Sequence, residues 1–296
     1  MDWCTHQQEH AGQIKRTGGY ETCSVTVFGQ GGFDVEDTVL GKAVGTRVVV
    51  NLEFPIHLKE KELTVRIRAD MAGFIVFLRC RLEIGCGLPS GFCLDTMPME
   101  GTWPASGEID LVESRGNLRL MQNGVNIGAE QAGQTLHWGP YWPYNGYGNT
   151  AWTKNTVPGY NTDFHRYQLE WTLDYLKFSI DDVETGRITP GAGGFWELGT
   201  STGAFPTTIE NPWRFASKMA PFDEEFYLII NLAVGGTNGF FPDDAVNEGG
   251  APKPWASSSS NALGDFWNGR AGWYPTWQAA GEDAAIQVDY VRVWAL

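Results

Sequence analysis

Three carboxylates lie within the six residues from Glu108 to Glu113, in the segment Glu-Ile-Asp-Leu-Val-Glu. Hydrolysis of a glycosidic bond by the retaining route needs two carboxyl groups about 5–5.5 Å apart. One attacks the anomeric carbon, and the other protonates the leaving oxygen and then activates water. The two Glu that flank Asp110 suit this chemistry. From the chemistry alone, either Glu could be the nucleophile and the other the acid/base.

A β-strand is the element that would position these side chains. Successive side chains of a strand point to opposite faces, so Glu108 and Asp110 share one face and the apolar residues fill the other. Glu113 has the wrong parity. One extra residue at Leu111–Val112, a β-bulge, would return its side chain to the face of the other two.

The middle carboxylate has a role of its own in this interpretation. Asp110 can hydrogen-bond to the nucleophile, and its negative charge favours the protonated form of the acid. Two other interpretations remain open. An exposed strand with a solvated acidic face has the same pattern, and a divalent cation could bind the carboxylate oxygens.

The composition narrows the class of protein. The net charge of -14 argues against a nucleic-acid partner and favours a neutral ligand. Together, thirteen Trp and thirty-seven Gly indicate short strands joined by Gly-rich turns, as in a sandwich or barrel, with some Trp rings free to stack on sugars. No apolar run is long enough to span a membrane. The five Cys match no zinc spacing, and their odd number does not make a disulfide framework.

Alternating apolar and polar residues, together with short runs of apolar residues, predict an all-β chain. The segments predicted as strands are 24–28, 46–54, 108–113, 167–171, 176–180, 226–233 and 286–294. Residues 172–174 form a predicted hairpin turn. The stretches 141–148 and 251–260 are long loops rich in aromatic residues, Pro and Ser, and such loops are often functional.

Residues Trp103 to Glu113 resemble a signature of glycoside hydrolase family 16, Trp-Pro-x-Ser-Gly-Glu-Ile-Asp-x-x-Glu. The chain is most similar to the laminarinase-like β-glucanases and their invertebrate β-1,3-glucanase branch. The resemblance covers roughly residues 100–296. Further similar segments are 135–139, 164–172, 221–236 and 288–294.

The resemblance implies one domain over residues 1–296 with a concanavalin-like β-jelly-roll sandwich. It implies that Glu108 is the nucleophile, that Asp110 assists it and that Glu113 is the acid/base. It also implies an endo-β-1,3-glucanase that is monomeric and extracellular, although the first residues lack a signal-peptide pattern. Its partner would be a β-glucan, with neither nucleic acid nor membrane involved.

The remaining predicted site residues follow from the same resemblance. Trp103, His137 and Trp138 would bind substrate, with His137 near the acid/base residue unless it is a structural histidine. No cofactor is required. Asp289 could hold a structural calcium, or it could be a plain exposed strand residue.

The branch also contains β-1,3-glucan recognition proteins that have lost the catalytic glutamates. This chain keeps both, which favours hydrolysis over binding alone. A non-catalytic glucan-binding protein and an inactive product of a damaged gene remain the alternatives.

Residues from about 70 to 100 depart from the family pattern, which has a Trp-rich strand there. Reading the third base of each codon with the first two of the next allows residues 82–100 to encode Gly-Asp-Trp-Leu-Trp-Pro-Ala-Ile-Trp-Leu-Leu-Pro, followed by a short polar stretch. We therefore expect a frameshifted translation that removes a strand beneath Glu108; the alternative is a divergent insert. The nucleotide sequence across residues 60–105 decides, because codons incompatible with the shifted frame exclude it. Residues 1–69 also match the family poorly.

Overall fold

The structure, a computed structural model, describes five strands among residues 1–100 and then residues 103–224, 226–233, 235–280 and 286–295. The early strands, β1 to β5, are Thr22–Val27, Arg47–Leu52, Phe54–Ile56, Lys61–Ala69 and Phe77–Ile84. The next strands, β6 to β10, are Glu108–Arg115, Leu120–Gln122, Val125–Asn126, Gln131–His137 and Ala151–Asn155. Strands β11 to β16 are His165–Trp171, Leu176–Ile180, Val183–Ile188, Phe226–Ala233, Val246–Asn247 and Ile286–Ala295. The helices α1 to α3 are Gly194–Ser201, Ala262–Asn268 and Arg270–Ala280, and a 3-10 helix spans Gly146–Asn149.

Most strands belong to two antiparallel sheets. The six-stranded sheet has the order β10-β9-β6-β5-β14-β3, and the five-stranded sheet has the order β13-β12-β11-β4-β16. Strand β6, which carries the three carboxylates, therefore lies between β9 and β5 near the middle of its sheet. A central strand is held on both edges by ladder hydrogen bonds, which suits it to position reactive groups.

The main core lies between these two sheets. Ile109 and its cross-strand neighbour Leu136 come from the six-stranded sheet, and Leu169 and its neighbour Phe178 come from the five-stranded sheet. All four side chains are fully buried in one apolar cluster. The predicted all-β fold, a β-jelly-roll sandwich, is therefore confirmed.

A second apolar cluster lies beside the sandwich. Phe266 of α2 and Trp273 of α3 stack with their ring centroids 4.3 Å apart, and Trp255 packs edge-on against Phe266. Arg115, at the end of β6, donates hydrogen bonds to the carbonyls of Phe240 and Ile127. These bonds tie the carboxylate strand to the loops around the second cluster.

The strands predicted from the sequence are confirmed, with end points that shift by a few residues. Two of the predicted ranges, 176–180 and 226–233, coincide with β12 and β14. The hairpin predicted at 172–174 is also present, closed by a hydrogen bond from Thr172 N–H to the carbonyl of Tyr175. Strands β4, β5, β7, β8, β10, β13 and β15 and the helices were not predicted. No helix in the described ranges is both long and apolar enough to cross a membrane.

A strand does lie beside β6, at residues 77–84, whereas the Trp-rich strand expected to be lost corresponds mainly to residues 85–100, so its loss stays a prediction. Strand β5 occupies that position and pairs with both β6 and β14. The remainder of the suspected frameshifted segment, with Cys86 and Cys93, lies outside the described residues, as does Cys4. The reading frame itself stays a hypothesis for the nucleotide sequence to decide.

Candidate active site

The register between β6 and β9 places the three carboxylates on one face of the sheet. The cross-strand pairs are Glu108 with His137, Asp110 with Thr135, and Glu113 with Gly133. The partners on β9 are two residues apart each time, so they share a face. Between Asp110 and Glu113, β6 advances three residues while β9 advances two, which is the bulge predicted at Leu111–Val112.

The carboxylates differ in their environments. Glu108 and Asp110 are only 1% and 0% exposed to solvent, whereas Glu113 is half-buried. Trp103 Nε1 donates a hydrogen bond of 2.5 Å to Oε2 of Glu108. A charge-assisted bond of this kind stabilises the ionised form of its acceptor and fixes its orientation. These features favour a reactive carboxylate at Glu108 over a solvated acidic face.

A tight turn delivers the chain into Glu108. Gly107 N–H donates to the carbonyl of Pro104, and Gly107 has a φ of +75°. A Cβ on Gly107 would approach Pro221 Cγ to 3.0 Å, so glycine suits both the left-handed backbone and the close packing. Trp213 anchors the same turn by donating from Nε1 to the carbonyl of Ala105.

Arg115 places a positive charge near Glu113. Burial lowers the pKa of Arg115 to about 10, and the nearby Glu113 carboxylate acts in the opposite direction. The guanidinium also lies over the ring of Phe240, 3.9 Å from its centroid. The end of β6 that carries Glu113 is thus held by hydrogen bonds, packing and charge together.

His137 lies at the Glu108 end of the site. Its Nε2 is 3.2 Å from Oδ2 of Asp110, and its cross-strand partner is Glu108. His137 was predicted to lie near Glu113, but Glu113 pairs with Gly133, four residues before His137 on β9. His137 instead supports the pair formed by Glu108 and Asp110.

An aromatic shelf borders the buried carboxylates. We use this name for Trp103, Trp142 and Tyr147. The Trp103 and Trp142 ring centroids are 5.7 Å apart, and Tyr147 stacks on His137 at 5.3 Å. Trp142 is 66% exposed although it is a large aromatic residue. The sequence predicted Trp103 but missed Trp142 and Tyr147; their only signal was the aromatic-rich loop at 141–148.

Trp138, which was predicted to bind substrate, lies in the core instead and offers no exposed surface to a sugar. Its side chain is 0% exposed, and its ring packs edge-on against Phe195 and Phe205. Its Nε1 donates to Oγ1 of Thr150. The residue follows His137 directly, so its side chain points to the opposite face and enters the core.

Metal binding was predicted at Asp289 and considered for the carboxylate strand. Asp289 is exposed on β16, at a register shift between Val288 and Tyr290. Calcium takes six to eight oxygen ligands. In the described part of the chain, Asp289 belongs to no group of three or more potential His, Cys, Asp or Glu ligands. One such group does occur there, Glu108, Asp110 and His137, with ligand atoms within 4.8 Å of one another. Calcium at Asp289 stays a prediction.

The fold and the site together define a β-sandwich with three carboxylates aligned on a central strand. Residues 78–194 match the sequence profile described as "Glycosyl hydrolases family 16". The chain contains a glycosyl hydrolase family 16 domain, as its signature predicted.

Relatives of this domain include binding proteins and an enzyme. The chain is 46% identical over 230 residues to a "Beta-1,3-glucan-binding protein" of Penaeus monodon, covering 73% of this chain and 58% of that protein. It is 38% identical over 148 residues to "Beta-1,3-glucan-binding protein 1" of Manduca sexta, covering 50% and 26%. It is 30% identical over 220 residues to "Glucan endo-1,3-beta-glucosidase A1" of Niallia circulans, covering 74% and 24%. The chain thus spans between about a quarter and just over half of each of these proteins.

Among solved structures, one that the chain matches is the endo-β-1,3-glucanase from Pyrococcus furiosus. The two chains are 19% identical, and the match covers 83% of this chain and 63% of the glucanase chain, with a TM-score of 0.43.

Proposed function

We propose that this domain hydrolyses β-1,3-glucan internally with retention of the anomeric configuration. The observation that carries the proposal is the alignment of Glu108, Asp110 and Glu113 on one strand face by the bulge in β6. Two glutamates on one face, separated by a single carboxylate, suit the short spacing that retention requires.

Each residue then has a defined task. Glu108 attacks the anomeric carbon, with one oxygen oriented by the indole N–H of Trp103. Glu113 protonates the leaving oxygen and later removes a proton from the water that releases the sugar. Asp110 stays beside the nucleophile, held by His137.

The substrate class follows from the shelf and from the charge. The exposed faces of Trp142 and Tyr147 offer flat apolar surfaces to pyranose rings, and a net charge of -14 suits a neutral polymer. The glucan named in the descriptions of the three relatives supports this substrate. An extracellular, monomeric protein that needs no cofactor is part of the same proposal.

The second candidate is a β-1,3-glucan-binding protein without turnover. The descriptions of the Penaeus and Manduca relatives favour it, because both are binding proteins. The presence of both Glu108 and Glu113 favours hydrolysis, since recognition alone needs no acid–base pair.

Incubation with laminarin separates the candidates. We expect new reducing ends, and anomeric proton NMR at early times should detect the β-anomer first. Sedimentation of the protein with insoluble β-1,3-glucan, without sugar release, would support the binding protein. A chain that neither releases sugar nor sediments with the glucan would support an inactive gene product. Expression of the frame-corrected chain beside this one tests that alternative.

A further inference from the structure

The loop after β9 contributes a polar residue that touches the site indirectly. Asn145 Nδ2 lies 2.9 Å from Nδ1 of His137, and the opposite ring nitrogen, Nε2, faces Asp110. We propose that Asn145 is a positioning residue that fixes His137 as the neutral tautomer protonated at Nε2, which donates a hydrogen bond to Asp110. The consequence for catalysis rests on the function proposed above.

The backbone sets the orientation of the Asn145 amide. Tyr147 N–H donates to Oδ1 of Asn145 over 3.1 Å, at the start of the 3-10 helix. A backbone N–H is always a donor, so the amide oxygen must face it. The reversed amide would bring two donors together. The NH₂ group of Asn145 therefore faces His137.

The tautomer follows from this orientation. A ring nitrogen that accepts from an NH₂ group carries no proton, so His137 Nδ1 is the acceptor. In the neutral ring, the proton then resides on Nε2, 3.2 Å from Asp110 Oδ2. The donors therefore follow one direction, from Asn145 to His137 and from His137 to Asp110. This arrangement stabilises Asp110 as an acceptor beside Glu108.

Packing keeps the imidazole from turning over. The Tyr147 ring stacks on His137 with an interplanar angle of 29°, and the Trp103 ring lies 5.6 Å away on a tilted plane. A turned ring would replace the two nitrogens with carbons and lose both contacts. The residue that fixes the tautomer and the ring that covers it come from one short loop.

Histidine nitrogen NMR tests the inference without any activity measurement. In the ¹⁵N-labelled protein at neutral pH, we expect His137 to have a protonated Nε2 and an unprotonated Nδ1. The signals are assigned by their absence in His137→Gln. A protonated Nδ1 in the wild-type chain would overturn the proposal.

Asn145→Asp adds a second test. Its carboxylate can only accept, so Nδ1 should carry a proton in this variant. The matched control is Asn149→Asp, in the same loop; Asn149 donates to Thr202 Oγ1. The control should keep the wild-type pattern. An unchanged pattern in Asn145→Asp would contradict the assignment.

The activity readout separates this inference from the proposed function. Outer hydrogen-bond partners of metal-ligating histidines are worth about 10–100-fold in activity. By analogy, we expect kcat to fall by about that factor in Asn145→Asp, with a smaller change in KM. An equal kcat would overturn the positioning role. The predicted tautomer in a wild-type chain that releases no sugar would overturn the proposed function and still support the hydrogen-bond assignment.

Discussion

The indole Nε1 of Trp103 donates a hydrogen bond to Oε2 of Glu108 over 2.5 Å. The two residues are five positions apart and are joined by the turn that ends at Gly107. The bond therefore orients the proposed nucleophile through Trp103, a residue of the same signature segment, 103–113.

Trp103→Phe keeps an aromatic ring on the shelf and removes the donor. Hydrogen bonds to charged groups are worth about 1.5–3 kcal/mol, so we expect kcat on laminarin to fall about 10- to 100-fold. Steady-state kinetics measures this. The matched control is Trp255→Phe, which removes an indole bond to the Gly236 carbonyl in the second cluster. Similar losses of kcat in both variants would contradict the role of Trp103.

Gly107→Ala tests the turn that precedes Glu108. Gly107 and Gly124 have φ values of +75° and +81°, but only the added methyl group at Gly107 would meet packed atoms. The left-handed backbone costs an alanine about 1–2 kcal/mol at either position. We expect urea unfolding to give a larger loss of stability for Gly107→Ala than for Gly124→Ala, and a loss of kcat for Gly107→Ala alone. Equal losses of stability would contradict the close packing against Pro221.

The aromatic shelf predicts a binding defect. Aromatic contacts contribute about 0.5–1.5 kcal/mol, so Trp142→Ala and Tyr147→Ala should each weaken laminarin binding about 2- to 10-fold. Affinity electrophoresis in gels that contain laminarin measures binding independently of turnover. Phe215→Ala removes a ring that is also exposed but lies outside the shelf, so it should not change retardation. Equal retardation of all three variants and the wild type would exclude the shelf as a sugar surface.

A buried tyrosine pair predicts a loss of stability in alkali. Burial raises the pKa of Tyr160 to about 12, with a smaller contribution from the Asp181 carboxylate, and burial raises the pKa of Tyr167 well above its ordinary value. A raised pKa in the folded state means that stability is fully present below about pH 10 and is lost as the pH rises through about 12.

Tyr160→Phe should reduce that loss. Its hydroxyl makes no hydrogen bond among the described residues, so the variant should match the wild type at pH 8. Urea unfolding at pH 8 and pH 11 measures both effects. Tyr141→Phe, at an exposed site, should lose as much stability in alkali as the wild type. The same alkaline loss in Tyr160→Phe would show that this phenol is not responsible.

The carboxylate strand was predictable because its information is local. Alternation fixes which face Glu108 and Asp110 share, and the parity of Glu113 requires the bulge that the structure contains. Trp138 was misplaced because its environment is formed by Phe195 and Phe205, which lie more than fifty residues further along the chain.

Asn145 could not have been found from the sequence. An asparagine in an aromatic-rich loop has no periodic signal, and its meaning depends on the Tyr147 N–H and on the facing nitrogen of His137. Helices α2 and α3 were missed for a related reason. Their apolar residues pack into the second cluster, where Phe266 and Trp273 stack on each other, and this stretch has no repeat typical of a surface helix.

The rate of reducing-end release from laminarin by the wild type, Glu108→Gln and Glu113→Gln tests the central claim most directly. All three chains should have the same melting temperature and the same retention on the glucan. Removing general acid–base catalysis should lower the rate about 10²–10⁴-fold in Glu113→Gln, and Glu108→Gln should lose at least as much. Undiminished turnover in Glu108→Gln, or a wild-type chain that binds laminarin and releases no sugar, would contradict the account.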